Sequence, residues 1–445
     1  MATSTSIARA SARWIGATST ARLGGDVVEK AKTCLSDMIG VAAQAWDLPS
    51  SRQALGYAAA MGGSEATLIG CKERASVAEA AFANGAVAHG LVQEDMHTPS
   101  VSHIGVVVWP TLLSLSEHTA ATGEDLIAAG VAGYQMMGRL GQALVTKELA
   151  RAFRPTGLIG AIGAAAAGAR LLRLTEEEIA SALALAANTA GGLNEWPHAG
   201  GDEMFFHAGN AARNAVTSVL LAKAGARAAE SALAGLFVAY RGAARDSLAL
   251  DGEWEILAVY NKPAPACNYA QTPAQAALSL ISDRPFAATD VERVVVKSFP
   301  EAIAYPGCDY TGPYRNLLQA KMSIQFVVAA TLAAGRLDDA ALRDFGKASE
   351  ASRLARRIRL ERDPEFAAAY PQRQGAEVIV TLKNGGLRRS RLSALEPLDA
   401  HGVRERFRTA VSKLLGETRA RELEREIDAL PACPDAARIA RLLAP

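Results

Sequence analysis

The chain has 445 residues, of which 50% are hydrophobic and 21% charged, a balance typical of a globular protein long enough for two domains. Its formal net charge of +1 at pH 7 provides no basic field that would favour nucleic acid or an anionic membrane. The five cysteines are scattered without a CxxC spacing, so we expect no disulfide framework and no zinc site, and a reducing cytoplasm fits this pattern. Because no apolar run reaches about 18 residues without a charge or a breaker, no transmembrane span is expected.

The first 260 residues are dominated by helix-forming segments. A polar lead at 1–16 precedes them. Apolar residues at helical spacing then predict helices at 27–46, 52–60, 77–88, 104–115, 124–149, 157–172, 175–187, 210–225 and 230–237. Within the segment 157–172, Gly160, Gly163 and Gly168 each cost about 1 kcal/mol of helix propensity relative to Ala, which is tolerated where neighbouring helices approach closely.

The composition changes after Cys267. Helical segments at 275–282 and 321–337 alternate with β-branched stretches. These stretches predict strands at 291–299, 355–361, 377–382 and 387–392. The last two flank a Lys-Asn-Gly-Gly turn at 383–386, which indicates a hairpin. The tail is helical again at 403–415 and 418–430.

The predicted fold class is therefore mainly α. We expect a large all-α helical domain built from residues 1–268 and 397–445, which is discontinuous because the tail packs back on the first part of the chain. Residues 269–396 are expected to form a smaller α/β domain with an antiparallel sheet.

The segment 81–118 concentrates the groups capable of proton transfer. It holds four of the seven histidines, and Asp95, His97 and His103 fall on a short connection between two apolar helices. A polar loop fixed by rigid helices is a common way to build a site. Any single histidine is more often a surface or satisfied core residue than a catalyst, but three acid–base groups within nine residues make this connection the candidate catalytic site.

Three further polar segments interrupt the helical body. In 151–157, Arg154 precedes a helix start, where it is either a carboxylate ligand or a solvated arginine. The segment 194–214, rich in Gly, His and acids, is predicted to be a long loop that forms a pocket wall or a subunit contact. The segment 261–269 lies at the junction of the two proposed domains, where ligands tend to bind. No dinucleotide loop, Walker A, GxSxG or HExxH motif is present, so no cofactor and no metal is expected.

Together these segments resemble the MmgE/PrpD family. The stretches that carry the resemblance, in the family's order between about 25 and 395, are NGAVAHG with EDMH and SHIG, RPTGLIGAIGAAAAGARLL, FHAGNAARNAV, KPAPAC and AKMSIQFVVAATLAAG. The resemblance implies a large helical domain plus a small α/β domain, usually in a homodimer. It also implies 2-methylcitrate dehydration, cis-aconitate decarboxylation or iminodisuccinate epimerisation, which all act on small polycarboxylates through proton transfer next to a carboxylate and without an organic cofactor.

The resemblance also assigns residues. Asp95, His97 and His103 match its first motif and are the predicted catalytic residues: Asp95 or His103 would move the α-proton, and His97 would orient or share it. The predicted substrate-binding residues are Arg154, His207, Arg213, Lys262 and Gln271, and Cys267 lies in the same KPAPAC motif as Lys262.

Four positions depart from the family pattern. Arg154 and Gln271 stand at or near family histidines, Met204 near a lysine and Phe326 near a tyrosine. These departures indicate a less basic pocket for a substrate with fewer carboxylates, with Arg154 replacing part of the lost positive charge.

The leading hypothesis is a cofactor-independent lyase, a dehydratase or a decarboxylase, that acts on a small polycarboxylate. One alternative is an epimerase or isomerase that uses the same proton chemistry. The other is a non-catalytic relative that binds a small carboxylic acid.

Overall fold

A computed structural model describes residues 6–445. Residues 1–5 of the polar lead predicted at 1–16 lie outside them, and the rest of that segment forms a helix, Ile7–Gly16, instead of a polar lead. Within the described part the chain forms 22 α-helices and eight short strands, which confirms the mainly α fold class. The first 260 residues contain α1 (Ile7–Gly16), α2 (Gly25–Ala45), α3 (Pro49–Met61), β1 (Ala66–Thr67), β2 (Arg74–Ala75), α4 (Val77–Ala88), β3 (Met96–His97), α5 (Gly105–Ser116), α6 (Gly123–Leu144), α7 (Lys147–Ala152), α8 (Pro155–Leu171), α9 (Glu176–Ala187), α10 (Trp196–Ala199), α11 (Glu203–Lys223), α12 (Ala232–Arg241) and β4 (Val259–Tyr260).

The remainder of the chain combines helices with a four-stranded sheet. Its elements are α13 (Gln271–Asp283), β5 (Val291–Ser298), α14 (Pro300–Ala304), α15 (Leu317–Met322), α16 (Ile324–Ala334), α17 (Asp339–Leu342), α18 (Glu350–Ala355), β6 (Ile358–Arg362), α19 (Pro364–Ala369), β7 (Ala376–Leu382), β8 (Leu387–Leu392), α20 (Ala400–Leu415), α21 (Glu417–Asp428) and α22 (Ala437–Leu442).

The sheet differs in one pairing from the antiparallel sheet that was predicted. Its strand order is β6-β5-β7-β8, and β5 pairs with β6 in parallel, so the sheet is mixed. The long connection through α14 to α18 makes the parallel pairing possible, because parallel neighbours need a crossover. The predicted hairpin is present as β7 and β8.

Three helical boundaries also differ from the predictions, and hydroxyl caps explain two of them. The helix predicted at 124–149 is divided, because the Thr146 side chain accepts the Leu149 N–H and starts α7. The helix predicted at 321–337 is divided in the same way by Ser323, which caps α16. The loop predicted at 194–214 is largely helical, since α11 already begins at Glu203.

The described chain contains two large hydrophobic cores and a small third cluster of Val41, Ala45, Leu48 and Leu91. The first contains buried residues between Ile7 and Val259 together with Phe407 to Leu443, while the second is centred on Ala264 to Leu382 and includes a few residues from the first half. The domain boundaries at 268 and 397 stay a prediction. No helix among residues 6–445 is long and apolar enough to cross a membrane.

Candidate active site

A small cavity of about 10 Å³, with room for about one water molecule, lies against the second core. The residues that line it come from distant parts of the chain: Val92, Met96, Val101, His103, Arg154, Cys267, Asn268, Tyr269, Tyr305 and Met322. The set combines an imidazole, a guanidinium, a thiol and two phenols in a largely apolar wall. Such a wall strengthens the few electrostatic interactions that it encloses.

His103 is fixed in the cavity wall by three contacts. Its backbone N–H donates to Thr156 Oγ1 in the first turn of α8 at 3.0 Å. Its Nδ1 lies 3.0 Å from the Asp95 carbonyl oxygen and 3.1 Å from Glu94 Oε1. Two acceptors at Nδ1 assign the ring proton to that nitrogen. Nε2 has no hydrogen-bond partner among residues 6–445, so its lone pair is available to a ligand.

Arg154 is the buried cation of the cavity, because its side chain is only 4% exposed. The backbone conformation is fixed where Arg154 caps α8 and donates its N–H to Gly192 O at 2.8 Å. Its guanidinium lies 3.3 Å from Tyr305 Oη and 3.4 Å from His89 Nε2. Nε is buried without a partner in the described chain, so it can donate a hydrogen bond to an anionic ligand. Because Arg154 is buried, it is not the solvated arginine that the sequence left open as an alternative.

A buried ionic network stands behind these two residues. Glu94 Oε1 lies 2.6 Å from His89 Nδ1, while Glu94 Oε2 has no partner within residues 6–445. Lys262 is fully buried and donates to the Val92 carbonyl oxygen and, at 3.4 Å, to Ala266 O. Arg154 and Lys262 supply two positive charges against the single negative charge of Glu94. One anionic group of a ligand would therefore balance the local charge.

The pKa shifts follow from burial. Burial, reinforced by Lys262 and Arg154, lowers the pKa of His103 well below its usual value, and burial likewise lowers the pKa of His89. Burial also brings the pKa of Lys262 down to about 8. For Glu94 burial acts against ionisation, but His89, His103 and Lys262 outweigh it and hold the pKa below its usual value. His103 is therefore a neutral imidazole at pH 7, beside an ionised Glu94.

Two valines in the cavity wall have left-handed backbone conformations. Val92 has a φ of 57° and Val101 a φ of 52°. For β-branched residues this conformation is strained and costs about 1–3 kcal/mol each. The Lys262 ammonium holds the Val92 carbonyl, and Val101 N–H donates to Thr98 O at 3.1 Å. Strain of this kind tends to occur where a structure shapes a binding site.

Gln271 holds the backbone beside the cavity. Its Nε2 donates to Ala264 O at 3.0 Å and to Ala266 O at 2.9 Å, and its Oε1 accepts the Ala264 N–H at 3.0 Å. The amide is thus occupied by the segment that presents Cys267, whose Sγ lies 3.6 Å from Cys308 Sγ. The geometry gives Gln271 a positioning role, which differs from the direct substrate contact that was predicted.

Asp95 points away from the cavity although its carbonyl oxygen contacts His103. Its carboxylate accepts from Tyr134 Oη and from the Gly105 N–H, the latter at 3.0 Å. Burial raises the pKa of Asp95 to about 7, and Asp37 acts in the same direction. A Cβ at Gly105 would lie 2.8 Å from Asp95 Oδ2, so this close approach requires glycine. The structure does not bring the Asp95 carboxylate together with the His103 ring.

His97 belongs to another buried network. Its Nε2 lies 2.7 Å from Glu255 Oε2 and its Nδ1 lies 2.7 Å from Ser100 Oγ, so both ring nitrogens are occupied. Arg139 and Gln142 on α6 also bind Glu255. No nitrogen of His97 remains for a substrate in the described structure.

His207 and Arg213, the two remaining residues predicted to bind substrate, lie in different places. His207 lies against Gly157 and Gly192, its Nδ1 is buried without a partner among residues 6–445, and burial together with Arg154 lowers its pKa to about 4. Arg213 lies on the surface side of α11, where it binds Asn210 Oδ1 at 2.9 Å and covers the Phe82 ring. His207 therefore lies near Arg154, whereas Arg213 does not line the cavity.

Met204 and Phe326, two of the four departures from the family pattern, are buried in the second core. Phe326 packs against the Tyr314 ring at 4.9 Å. These two positions therefore contribute apolar packing.

Sequence reasoning missed several polar residues of the site. Tyr305 has no local signal, because it follows the short helix α14, and its Oη accepts from Arg154 and, at 3.5 Å, from Asn194 Nδ2. His89 and Glu94 lie in the candidate segment itself. His89 and Glu94 are five residues apart and follow directly on the end of α4 at Ala88, which lets their side chains pair. This spacing was the signal that could have identified them.

Comparison with known families gives a match over nearly the whole chain. The model of the MmgE/PrpD N-terminal domain matches residues 9–249, and that of the MmgE/PrpD C-terminal domain matches residues 264–431. The chain belongs to the MmgE/PrpD family. The resemblance recognised in the sequence motifs is thereby confirmed.

Members of the MmgE/PrpD family with named activities are similar over most of the chain. Cis-aconitate decarboxylase of Mus musculus is 26% identical over 390 residues, which cover 82% of this chain and 78% of the relative. Cis-aconitate decarboxylase of Homo sapiens is 27% identical over 361 residues, which cover 76% of this chain and 73% of the relative. The 2-methylcitrate dehydratase of Escherichia coli K12 is 26% identical over 387 residues, which cover 80% of this chain and 78% of the relative.

Proposed function

We propose that the protein is a lyase that removes water from a small β-hydroxy carboxylic acid. The observation that carries this proposal is the arrangement of a neutral His103, a buried Arg154 and the Tyr305 hydroxyl around one small cavity. The dehydratase and decarboxylase names of the relatives support a lyase acting on a carboxylic acid.

The first step is removal of the proton on the carbon next to the carboxylate. His103 Nε2 is the base, because Nδ1 already donates to the Asp95 carbonyl and Glu94, and the lowered pKa keeps the ring unprotonated at pH 7. Glu94 stabilises the imidazolium that results. The substrate carboxylate binds the guanidinium of Arg154, whose Nε is unpartnered in the described chain, and this charge stabilises the enolate-like intermediate.

The second step is departure of the β-hydroxyl group. Tyr305 Oη accepts hydrogen bonds from Arg154 and Asn194, which leaves its own proton free to be donated. The C–O bond breaks as this proton passes to the leaving oxygen, and water and an alkene are formed. Arg154, 3.3 Å away, stabilises the phenolate until the proton on His103 returns.

Decarboxylation is the second candidate, because the cis-aconitate decarboxylases of Mus musculus and Homo sapiens align with 82% and 76% of the chain. That reaction delivers a proton to carbon after carbon dioxide leaves. His103 has no spare proton at pH 7, and Tyr305 would have to supply it. Dehydration uses His103 as an unprotonated base and the Tyr305 hydroxyl as a proton donor, so it is our first choice. The relatives named above give no support for an isomerase. The homodimer, the cytoplasmic location and the absence of a cofactor stay predictions.

The test is a pair of assays on the purified full chain. Citrate, 2-methylcitrate and malate are followed for alkene formation by ultraviolet absorbance, and cis-aconitate is followed for carbon dioxide release. We expect alkene formation with at least one hydroxy acid, and its loss in Tyr305→Phe and His103→Gln. Carbon dioxide release alone would replace the dehydratase with a decarboxylase. Binding without either product would favour the non-catalytic alternative.

A further inference from the structure

Two of the five cysteines lie in contact beside the candidate active site. Cys267 Sγ is 3.6 Å from Cys308 Sγ, and both side chains are buried. The two residues are 41 positions apart in the chain, so the fold, and not the local sequence, brings them together. Because the S–S bond of a disulfide measures about 2.05 Å, the sulfurs are about 1.5 Å beyond bonding distance.

One short segment of the second core holds both cysteines in this arrangement. The Cys267 N–H donates to Lys321 O at 2.9 Å, and Cys308 O accepts the Ile324 N–H, also at 2.9 Å. Both cysteines are thus hydrogen-bonded to the boundary between α15 and α16. The two backbones are therefore fixed relative to each other, and rotation of the side chains changes the distance between the sulfurs.

The surroundings make the two thiols unequal. Burial would raise the pKa of Cys267, but hydrogen bonds from the Cys308 thiol and the Tyr269 N–H lower it. The Lys262 and Arg154 cations lower it further, so the pKa of Cys267 lies below its usual value. Burial, reinforced by Cys267, raises the pKa of Cys308 well above its usual value. Since the thiolate is the form that attacks an oxidant, Cys267 is the nucleophile of the pair and Cys308 remains a thiol.

Cys267 is also the thiol that a small molecule reaches first. It lines the cavity beside His103 and Arg154, which has room for about one water molecule, whereas Cys308 does not line this cavity. A bulky disulfide such as oxidised glutathione exceeds this space. Hydrogen peroxide, with one heavy atom more than water, is the kind of oxidant that the restriction favours.

We propose that Cys267 and Cys308 form a reversible disulfide bond when a small peroxide oxidises the protein. The Cys267 thiolate attacks one oxygen of hydrogen peroxide, the O–O bond breaks, and Cys267 becomes a sulfenic acid. The hydroxide that leaves takes up the proton that Cys267 had released and becomes water. The Cys308 sulfur then attacks the Cys267 sulfur, the S–O bond breaks, and the second hydroxide leaves as water with the Cys308 proton. The two thiols lose two electrons in all, and these reduce the peroxide.

The disulfide would act on Tyr305, because Cys308 is joined to this residue by a tight turn. The Cys308 N–H donates to Tyr305 O at 3.1 Å, and the φ of 81° at Gly307 between them is typical of a type II turn. Tyr269, two residues after Cys267, packs on the Tyr305 ring with centroids 5.3 Å apart. Movement of either cysteine therefore reaches the proton donor of the proposed function. This consequence rests on the proposed function, whereas the disulfide does not.

The test exposes the full chain to hydrogen peroxide near neutral pH and locates the thiols by mass spectrometry. We expect the loss of two of the five thiols, a mass decrease of about 2 Da, and a linked pair of peptides that contain Cys267 and Cys308. Dithiothreitol should reverse these changes. Alkene formation by the same samples should fall by about 10²-fold on oxidation, the usual cost of a misplaced catalytic group, and recover on reduction. Oxidised glutathione should have no effect.

Variants with one cysteine replaced separate the two steps. In Cys308→Ser the sulfenic acid of Cys267 has no thiol to react with, so we expect a mass gain of about 16 Da that dimedone traps, and no disulfide. Cys267→Ser should show neither product. The matched control is Cys71→Ser, because Cys71 is the one cysteine that is not buried, and this variant should form the disulfide as wild type does. Circular dichroism before oxidation checks that each variant is folded, and the linked peptides of wild type test the proposal without any variant.

The other outcomes overturn the inference or separate it from the proposed function. A linked pair that includes Cys71, or a Cys267–Cys308 link that forms only after unfolding in urea, would refute the disulfide. So would free thiols at both positions once peroxide has oxidised Cys71. A reversible disulfide that leaves alkene formation unchanged would refute the effect on Tyr305. A reversible disulfide in a protein that converts none of the hydroxy acids would support the modification site and refute the proposed function.

Discussion

Glu94 and Asp95 are adjacent in sequence, yet their side chains belong to different parts of the molecule. Glu94 joins His89 and His103 beside the cavity, and these groups hold its pKa below the usual value. Asp95 turns to Tyr134 and the Gly105 N–H, where burial raises its pKa to about 7. Both acids are almost completely buried. Burial alone therefore does not determine the state of a carboxyl group, because its partners decide the direction of the shift.

The histidines of the same segment differ in a similar way. His97 uses both ring nitrogens in hydrogen bonds to Glu255 and Ser100, whereas His103 keeps Nε2 free within the described structure. A base needs a nitrogen that a substrate can reach. The network around His97 therefore fixes the fold, whereas the network around His103 can transfer a proton. The following predictions test this difference.

The largest expected effect belongs to His103→Gln. Removing the base should lower kcat by about 10²–10⁴-fold, the usual contribution of general base catalysis. Steady-state rates of alkene formation measure it. Retention of the wild-type far-ultraviolet circular dichroism serves as the control. A rate within a few-fold of wild type would exclude His103 as the base.

The next largest effect is expected for Arg154→Gln, which should lower kcat/KM by about 10²-fold because an oriented charge is lost from a water-poor site. Arg154→Lys keeps the charge but loses the fork geometry, so it should recover only part of the activity. Arg213→Gln is the matched control, since Arg213 does not line the cavity, and it should stay within about 3-fold of wild type by the usual size of surface charge effects. Equal losses at both arginines would contradict the assignment.

The pH profile of kcat/KM should be a plateau bounded by His103 and Lys262. Because the pKa of His103 lies well below 6.5, protonation of the base should reduce activity only on the acid side of pH 6.5. Lys262, with a pKa of about 8, loses its charge above that pH, which removes a cation from the anion site. Each limb should approach about a 10-fold fall per pH unit. An alkaline limb unchanged in Lys262→Met would show that another group titrates there.

His97→Gln should affect stability more than activity. Glutamine cannot satisfy Glu255 and Ser100 together, and an unpaired buried polar group costs about 1–3 kcal/mol. Urea unfolding measures this change, and kcat at a temperature where the variant is folded should stay within about 3-fold of wild type. A large fall in kcat with unchanged stability would return His97 to the catalytic set.

The smallest effect is expected for Asp95→Asn, and it depends on pH. The folded state keeps the Asp95 proton up to about pH 7, whereas the unfolded state releases it near the ordinary value of 3.8. Wild type therefore loses stability as the pH rises from about 4 to 7 through this group. Asparagine removes the dependence, so the Tm difference, variant minus wild type, should increase by a few degrees over that range. A constant difference would contradict the raised pKa.

The sequence predicted the helices well where the apolar spacing was continuous, as in α4 and α5, and it located the connection that carries His103. It could not distinguish the roles of Glu94 and Asp95, or those of His97 and His103. The orientation of each side chain depends on hydrogen-bond partners that are distant in sequence, such as Tyr134 and Glu255. Tyr305 was missed for the same reason: it acquires its role only when the second core packs against Arg154.

The most direct measurement of the central claim is proton exchange in D2O, followed by NMR, with citrate, 2-methylcitrate and malate. Wild type and His97→Gln should incorporate deuterium next to the carboxylate or release the alkene, and His103→Gln should be at least about 10²-fold slower. Proton exchange or alkene formation that survives in His103→Gln but disappears in His97→Gln would contradict the account, as would a wild-type protein that binds these acids and neither exchanges a proton nor forms an alkene.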